Sequence, residues 1–256
     1  MSDAPPSPAF KDHFSAGAAA YSAMRPTYPA ALFDWLADQA PARGAAWDCG
    51  CGSGQASPAL AERFAQVFAT DPSAAQIAQA PTHPGIAYST GRAESSGLPD
   101  RSVDLILAAQ AAHWFDLPVF YAEAARVGRP GALLALVSYG PILGEGDVGA
   151  ALADIYHGPI HDHWPAERAH VEDGYRALPF PYAELPPPDL AIEVDWPLDR
   201  LVGYIGTWSA TAAYRKAVGA DPIPEVEARL AAVWGAPQEA RRFRFPLAIR
   251  AGRGPG

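Results

Sequence analysis

The sequence predicts an α/β fold built on a doubly wound, mostly parallel sheet, and three observations predict it. Between residues 45 and 140, apolar strand-like runs and helix-like runs alternate five times. The run from Val103 to Gln110 is almost unbroken in its apolarity, as a central parallel strand buried on both faces requires. The first run ends in Asp48-Cys49-Gly50-Cys51-Gly52-Ser53-Gly54, a glycine-rich turn between strand and helix. Open α/β sheets bind their ligands at such strand ends.

Each element can be justified in turn. Residues 1–9 are polar and proline-rich and read as a disordered tail. Residues 10–24 read as a loosely amphipathic helix, with Phe14, Ala18 and Tyr21 on one face. Arg25-Pro26-Thr27-Tyr28-Pro29 breaks it, and residues 30–39 form a second helix that ends before Pro41 and Gly44. Strands follow at 45–49, 66–70, 86–90, 103–110 and 132–139, with helices at 58–64, 73–80 and 118–127 between them. Gly128-Arg129-Pro130-Gly131 reads as a turn. After Tyr139 the alternation stops. Residues 141–189, rich in Gly, Pro, His and aromatics, read as an insertion with helices near 149–156 and 166–175. Residues 190–196 and 241–249 alternate as strands, 200–211 and 224–234 read as helices, and the tail after Gly252 is expected to be mobile.

Composition narrows the function. The 256 residues suit one large α/β domain with an inserted cap. A net charge of −9 argues against general nucleic-acid binding, which needs basic surface. No run of about 18 apolar residues suggests a membrane span, and the N-terminus lacks the basic start and apolar core of a signal peptide. Cys49 and Cys51, the two cysteines, sit too close for an unstrained disulfide and are too few for a structural zinc site. A reducing cytoplasm is the simplest location.

The glycine loop carries the chemistry. Glycine lets the backbone turn at positive φ and lie against a ligand, and the next helix aims unpaired N–H groups at the same point. A dinucleotide site has G-x-G-x-x-G, whereas Gly50, Gly52 and Gly54 give G-x-G-x-G behind Asp48. That anion repels a pyrophosphate and attracts an ammonium group, which S-adenosylmethionine carries. Asp71 ends the second strand, where an acid can accept from ribose hydroxyls or cap the next helix. Asp48, Asp71, Ala93-Glu94 and Gln110 to His113 thus lie at the ends of four separate strands.

The stretch Asp48 to Gly54 resembles the first motif of class I S-adenosylmethionine-dependent methyltransferases. Further resemblance comes from Tyr21 with Arg25-Pro26-x-Tyr28-Pro29, Ala93-Glu94 before Leu98-Pro99, Ser102-Val103-Asp104-Leu105 and His113-Trp114-Phe115-Asp116. Arg126-Val127 before Gly128-Arg129-Pro130-Gly131, and residues 203–209, extend it. The chain looks like the type 11 group, and within it most like the trans-aconitate methyltransferase-like branch. The resemblance implies a Rossmann-like, seven-stranded sheet whose last strand inserts antiparallel between the fifth and sixth. It also implies a cofactor domain at 45–140 and 190–252, N-terminal helices at 10–44 over the cofactor, and a substrate cap at 141–189.

The same resemblance assigns roles. Asp48, Cys49, Gly50 and Gly52 would hold the methionine end of S-adenosylmethionine, and Asp71 with Pro72 the ribose. Ala93 would bond the adenine through its backbone, Gln110 would stand near the sulfonium, and Tyr21 and Arg25 would close over the cofactor. Many relatives have Asp where Arg92 stands; arginine has no acceptor, so Glu94, backbone or water must meet the adenine amino group. S-adenosylhomocysteine would be the product and a small molecule the acceptor, a carboxylic acid if the trans-aconitate likeness extends to function. Arg25, Arg168 and Arg215 are candidates to receive it.

His113 at a strand end is the catalytic candidate, able to orient an acceptor or take its proton, or simply to wall the pocket beside Trp114. Trp114, Tyr139 and Trp208 are substrate-wall candidates, with Tyr204 and Trp164 beside them. His157, His161 and His163 tempt as a metal cluster, but Gly158-Pro159 interrupts any helix there, and no metal is expected. Methyl transfer depends mainly on holding three atoms in line. Two rival readings are a catalytically silent cofactor-binding module and an NAD-dependent oxidoreductase, the latter opposed by Asp48 and the glycine spacing. Methylation of nucleic acid fits poorly with the acidic chain, and the oligomeric state is not encoded in any motif.

Overall fold

A computed structural model describes residues 25–255. The expected N-terminal tail and first helix, with Tyr21, lie outside the described residues. Helix α1 (Ala30–Gln39) leads into β1 (Ala45–Cys49), α2 (Ser57–Ala61), β2 (Gln66–Asp71), α3 (Ala74–Ile77), β3 (Ile86–Thr90) and β4 (Val103–Ala109). A 3-10 turn (Ala112–Trp114), α4 (Leu117–Val127) and β5 (Gly128–Tyr139) follow. The inserted segment holds α5 (Gly146–Tyr156), a second 3-10 turn (His161–His163) and α6 (Arg168–Glu172). The chain closes with β6 (Ala191–Trp196), α7 (Leu198–Gly206), α8 (Ser209–Val218), α9 (Ile223–Trp234) and β7 (Arg241–Arg253).

The seven strands form one sheet in the order β3-β2-β1-β4-β5-β7-β6. β1 pairs in parallel with β2 and β4 (Ala46 opposite Val67 and Leu105), and β7 runs antiparallel to both its neighbours, β5 and β6. This is the doubly wound, mostly parallel topology the sequence predicts. Alternation explains the two cores. On β5, Leu133, Ala135 and Val137 face one layer with Leu32, Leu36 and Leu201, while Leu134 and Leu136 face the other with Phe120 and Val127.

Several local expectations are corrected. Residues 128–131 are not a separate turn but the start of a twelve-residue β5, whose register against β4 shifts between Val103 and Leu105. The helix expected at 200–211 is two helices broken at Thr207 and Trp208, where Thr207 Oγ1 turns back to donate to the Tyr204 carbonyl. The helix expected at 166–175 is a single turn followed by left-handed Gly174 and Tyr175. The C-terminal tail is tied down: Gly254 N–H donates to Ala132 O, and Gly131 N–H to Pro255 O.

Asp104 fastens the sheet centre. Its buried Oδ2 accepts from Gly44 N–H (2.8 Å), Ala45 N–H (2.9 Å) and Arg129 Nη1 (2.8 Å), linking the entry of β1 to β4 and β5. A Cβ at Gly44 would stand 2.9 Å from that oxygen and from Arg129 Nη1, so a side chain there would have to displace this ion pair. Asp104→Ala leaves three donors without their acceptor, at a cost of about 2–4 kcal/mol. The expected drop in melting temperature is roughly 5–15 °C; a calorimetric scan showing less than about 2 °C would refute this role.

Candidate active site

The site is built at the carboxyl ends of β1, β2 and β4, which the strand order makes neighbours. β1 is buried throughout, and Trp47 Nε1 donates to Thr70 Oγ1 (2.9 Å), locking it to β2. The chain then turns through Gly50, Gly52 and Gly54, all left-handed at φ 71°, 55° and 80°. Close approach demands glycine at two of them: a Cβ on Gly50 would stand 2.6 Å from Ala111 Cβ, and one on Gly54 2.6 Å from Tyr88 Oη. The first contact draws the glycine loop against the end of β4.

Asp71 is the second anchor. Its Oδ2 accepts from Gly52 N–H (2.9 Å) and its Oδ1 from Ser73 N–H (2.8 Å), so it binds the loop to the following turn. It does not cap α3; Ser73 does, accepting from Gln76 N–H. Asp71 and the adjacent Pro72 therefore sit beside the glycine loop. Asp48, with 1% exposure, accepts from Ser57 Oγ at 2.6 Å. Among the described residues no cation pairs with it. Burial pushes its carboxyl up to about 7 and neighbouring Asp71 adds to the rise, while the Ser57 hydrogen bond opposes it. A buried acid of this kind favours a cationic ligand and disfavours a phosphate, so the residues present fit an ammonium-bearing cofactor. Cys49 and Cys51 are free, buried thiols, pushed up by burial and then by Asp48.

Beyond β3, Ala93 is buried between Arg92 and Glu94. Glu94 Oε2 accepts from Arg92 Nε (3.2 Å) and Oε1 from Asp116 N–H (2.9 Å), so the acid is already engaged at both oxygens. Gln110 ends β4 in a left-handed conformation (φ 55°), and its Nε2 donates to Tyr139 O. Arg25 Nη1 donates to Tyr139 Oη (3.1 Å). Gln110 and Arg25 thereby converge on the end of β5.

A narrow cleft opens between these strand ends and the inserted segment. Arg25, Gln110, His113 and Trp114 line it from the sheet side. Tyr156, Trp164, Arg168, Tyr204 and Trp208 line it from the cap and α7 side. Trp164 and Trp208 rings lie 5.5 Å apart, and Tyr156 packs 5.6 Å from Trp208. The Arg168 guanidinium lies over Trp164 at 4.5 Å and donates from Nε to Tyr156 Oη (3.0 Å). Among the described residues no carboxylate lines the cleft.

Of the sequence candidates, Trp114 and Trp208 line the cleft, whereas Tyr139 lies behind it as the support for Arg25 and Gln110. Arg168 is in the cleft. Arg215 is not; it lies on α8 and pairs with Asp221 in the loop that follows. His157, His161 and His163 occupy the end of α5 and the next turn, and among the described residues no three metal-ligating side chains converge. Two participants escaped the sequence reading. Ser57, the partner of Asp48, lies nine residues away, with the glycine loop between them, and reads as a helix start. Tyr175, whose hydroxyl lies 2.8 Å from His113 Nδ1, is hidden in the irregular insertion.

Among the described residues, no helix is long and apolar enough to cross a membrane. The methyltransferase-domain family matches residues 47–136. A protein of Dictyostelium discoideum named as a methyltransferase is 35% identical over 225 residues, covering 86% of each chain. A solved structure of a type II methyltransferase-family protein from Anaeromyxobacter dehalogenans shares 55% identity at a TM-score of 0.85, over 91% of this chain and 99% of that one. An uncharacterized methyltransferase of Mycobacterium tuberculosis is 40% identical over 126 residues, covering 48% of this chain and 51% of its own. With the glycine loop, the buried acid and the seven-stranded sheet, these place the chain in the class I S-adenosylmethionine-dependent methyltransferases.

Proposed function

We propose that the chain methylates an oxygen of a small carboxylic acid. The observation that carries this reading is the charge of the cleft: two arginines, Arg25 and Arg168, stand in a largely aromatic wall that no carboxylate among the described residues lines, although Glu172 lies 3.6 Å from Arg168 Nε outside that lining. The buried indole Nε1–H of Trp164, without a partner among the described residues, adds a donor. Such a cleft favours a compact anion with a flat or apolar body. A malonyl-[acyl-carrier protein] O-methyltransferase of Dechloromonas aromatica, 38% identical over 112 residues and 43% of this chain, supports oxygen as the accepting atom.

In this reading the segment 141–189 is the substrate cap, residues 10–44 cover the cofactor, and 45–140 with 190–252 hold it. Asp48, Cys49, Gly50 and Gly52 take the methionine end, Asp71 and Pro72 the ribose, Ala93 and Glu94 the adenine. Gln110, Arg25 and Tyr21 close the site, Tyr21 lying outside the described residues. When bound, S-adenosylmethionine supplies an electrophilic methyl group. A carboxylate acceptor is already nucleophilic at neutral pH and needs no base. The chain's task is then orientation: Arg168 and Arg25 hold the acid, and the aromatic wall excludes water. The trans-aconitate-like branch is the sequence-based form of this proposal.

Three measurements test it. S-adenosylmethionine and S-adenosylhomocysteine at about 100 times their dissociation constants should each stabilise by roughly 2.7 kcal/mol, raising the melting temperature by about 5–11 °C, with no shift from NAD. A shift with NAD alone would overturn the cofactor reading. Asp48→Asn separates binding from stability. The Asp48 carboxyl is raised from its ordinary 3.8 to about 7, so the folded state holds its proton more tightly. That stabilisation is full below pH 4 and is lost as pH rises to about 7. The unliganded variant should lack this slope and melt no lower than the parent at pH 8, yet lose most of the S-adenosylhomocysteine shift. An undiminished shift would remove Asp48 from the cofactor site. Finally, a panel of small mono-, di- and tricarboxylic acids, assayed for S-adenosylhomocysteine release, should contain substrates. Arg168→Gln should raise KM for them about tenfold or more without changing S-adenosylhomocysteine affinity. Turnover of neutral phenols or amines alone would overturn the acid, and no turnover of any acceptor would favour a silent module.

A further inference from the structure

We propose that Tyr175 fixes His113 as the tautomer protonated on Nε2, so that His113 donates a hydrogen bond to the acceptor rather than taking its proton. The inference rests on the cleft being the acceptor site. Its core is a hydrogen-bond count around one phenol.

The phenol is held in place. Tyr175 is wholly buried at the end of the α6 segment, in a left-handed conformation (φ 63°) directly after left-handed Gly174. Its N–H donates to His170 O (2.7 Å), and its carbonyl accepts from Arg250 Nη1 (2.7 Å). These bonds fix a backbone shape that a tyrosine adopts only when its surroundings impose it. The side chain is thereby sent inward, with its hydroxyl 2.8 Å from His113 Nδ1.

Burial pushes the Tyr175 phenol far up, so it keeps its proton. Among the described residues this buried hydroxyl has one hydrogen-bond partner, His113 Nδ1; a proton on Nδ1 would leave the phenolic proton with no acceptor among them. The phenolic proton therefore goes to Nδ1, and the ring proton of the neutral imidazole must sit on Nε2. Nε2 is not bonded to any described residue and is not sealed in the interior. His113 lines the cleft, which is where that N–H is available.

The ring stays neutral for independent reasons. Burial pulls its pKa down to about 3, with the positive Arg168 and then His170 adding to the shift. The titratable and charged groups around it are Tyr175, Arg168 and His170 from the cap side, and Arg25 and Tyr204 across the cleft. Among the described residues none of these is a carboxylate that would hold an imidazolium. Tyr175 is a positioning residue; His113 is the group that touches the acceptor.

Long-range proton–nitrogen NMR of the histidine-labelled full chain tests this directly, with His113 assigned by the signals lost in His113→Gln. The expected pattern is protonated Nε2 and bare Nδ1, unchanged between pH 8 and pH 5. Tyr175→Phe should release the ring to a mixture of tautomers and raise KM for the best acid about tenfold, leaving S-adenosylhomocysteine affinity unchanged. If Tyr175→Phe fails to fold, the parent spectrum still decides. His113→Gln, which keeps a donor, should retain more activity than His113→Leu. A proton on Nδ1, or an imidazolium at pH 6, overturns the inference and leaves the acid reading intact. A bare Nδ1 in a chain that methylates only neutral acceptors supports the tautomer and removes the acid alone.

Discussion

A single buried carboxylate constrains this molecule more than any other group. Asp48 stands near the end of β1 with no cation beside it among the described residues and with only a serine hydroxyl to share its charge. Removing a carboxylate from water without pairing costs several kcal/mol unless it takes up a proton. The fold accepts that cost where the strand order of the sheet puts the ends of β1, β2 and β4 together. The glycine loop turns over the acid, and Asp71, rather than Asp48, holds the loop amide of Gly52. The two acids thus differ: one organises the backbone, and the other is buried against a serine hydroxyl with no cation beside it among the described residues.

The second half of the site answers the first with opposite charge. Arg25 and Arg168 bring two guanidinium groups into a wall of indole and phenol rings. Arg168 is held over Trp164 and by Tyr156, whose hydroxyl in turn donates to Glu172. A guanidinium held this way has already lost much of its side-chain freedom, so binding an anion costs less ordering. The aromatic rings come from α5, the second 3-10 turn and the α7–α8 junction, so the insertion completes a wall that the sheet alone does not provide.

Legibility follows from how local the determining physics is. The parallel core was readable because strand and helix periods alternate and because Val103 to Ala109 has no polar face apart from Asp104. Asp48, Asp71, Gln110 and His113 were readable because strand ends are fixed points of such a sheet. The break at Thr207 and Trp208 was not, because side chain-to-carbonyl bonds at Thr207 and Thr211 compete with helix continuity without altering apolar spacing. Arg168 and Arg215 looked equivalent as lone cations, and only tertiary packing sends one into the cleft and the other to Asp221. Tyr139 looked like a wall residue; instead its hydroxyl and carbonyl hold Arg25 and Gln110 from behind. Tyr175 carries no sequence signal, since nothing in its neighbourhood announces a left-handed turn except Gly174.

Backbone strain separates the site from the scaffold. Among the described residues three non-glycine positions have positive φ: Arg101, Gln110 and Tyr175. Two of the three flank the cleft, and each such residue costs on the order of 1–3 kcal/mol. Neither is left to relax. Gln110 is held by its N–H on Val137 O and its amide on Tyr139 O. Tyr175 is held through His170 and Arg250. A polar side chain forced out of the strand direction at the end of β4 reaches Tyr139 O, and a phenol forced inward from the cap reaches His113. Because the strain is overdetermined by bonds to the sheet, the polar atoms around the ring are fixed before any ligand arrives. That is the form of preorganisation which a reaction governed by alignment rather than by acid–base chemistry rewards most.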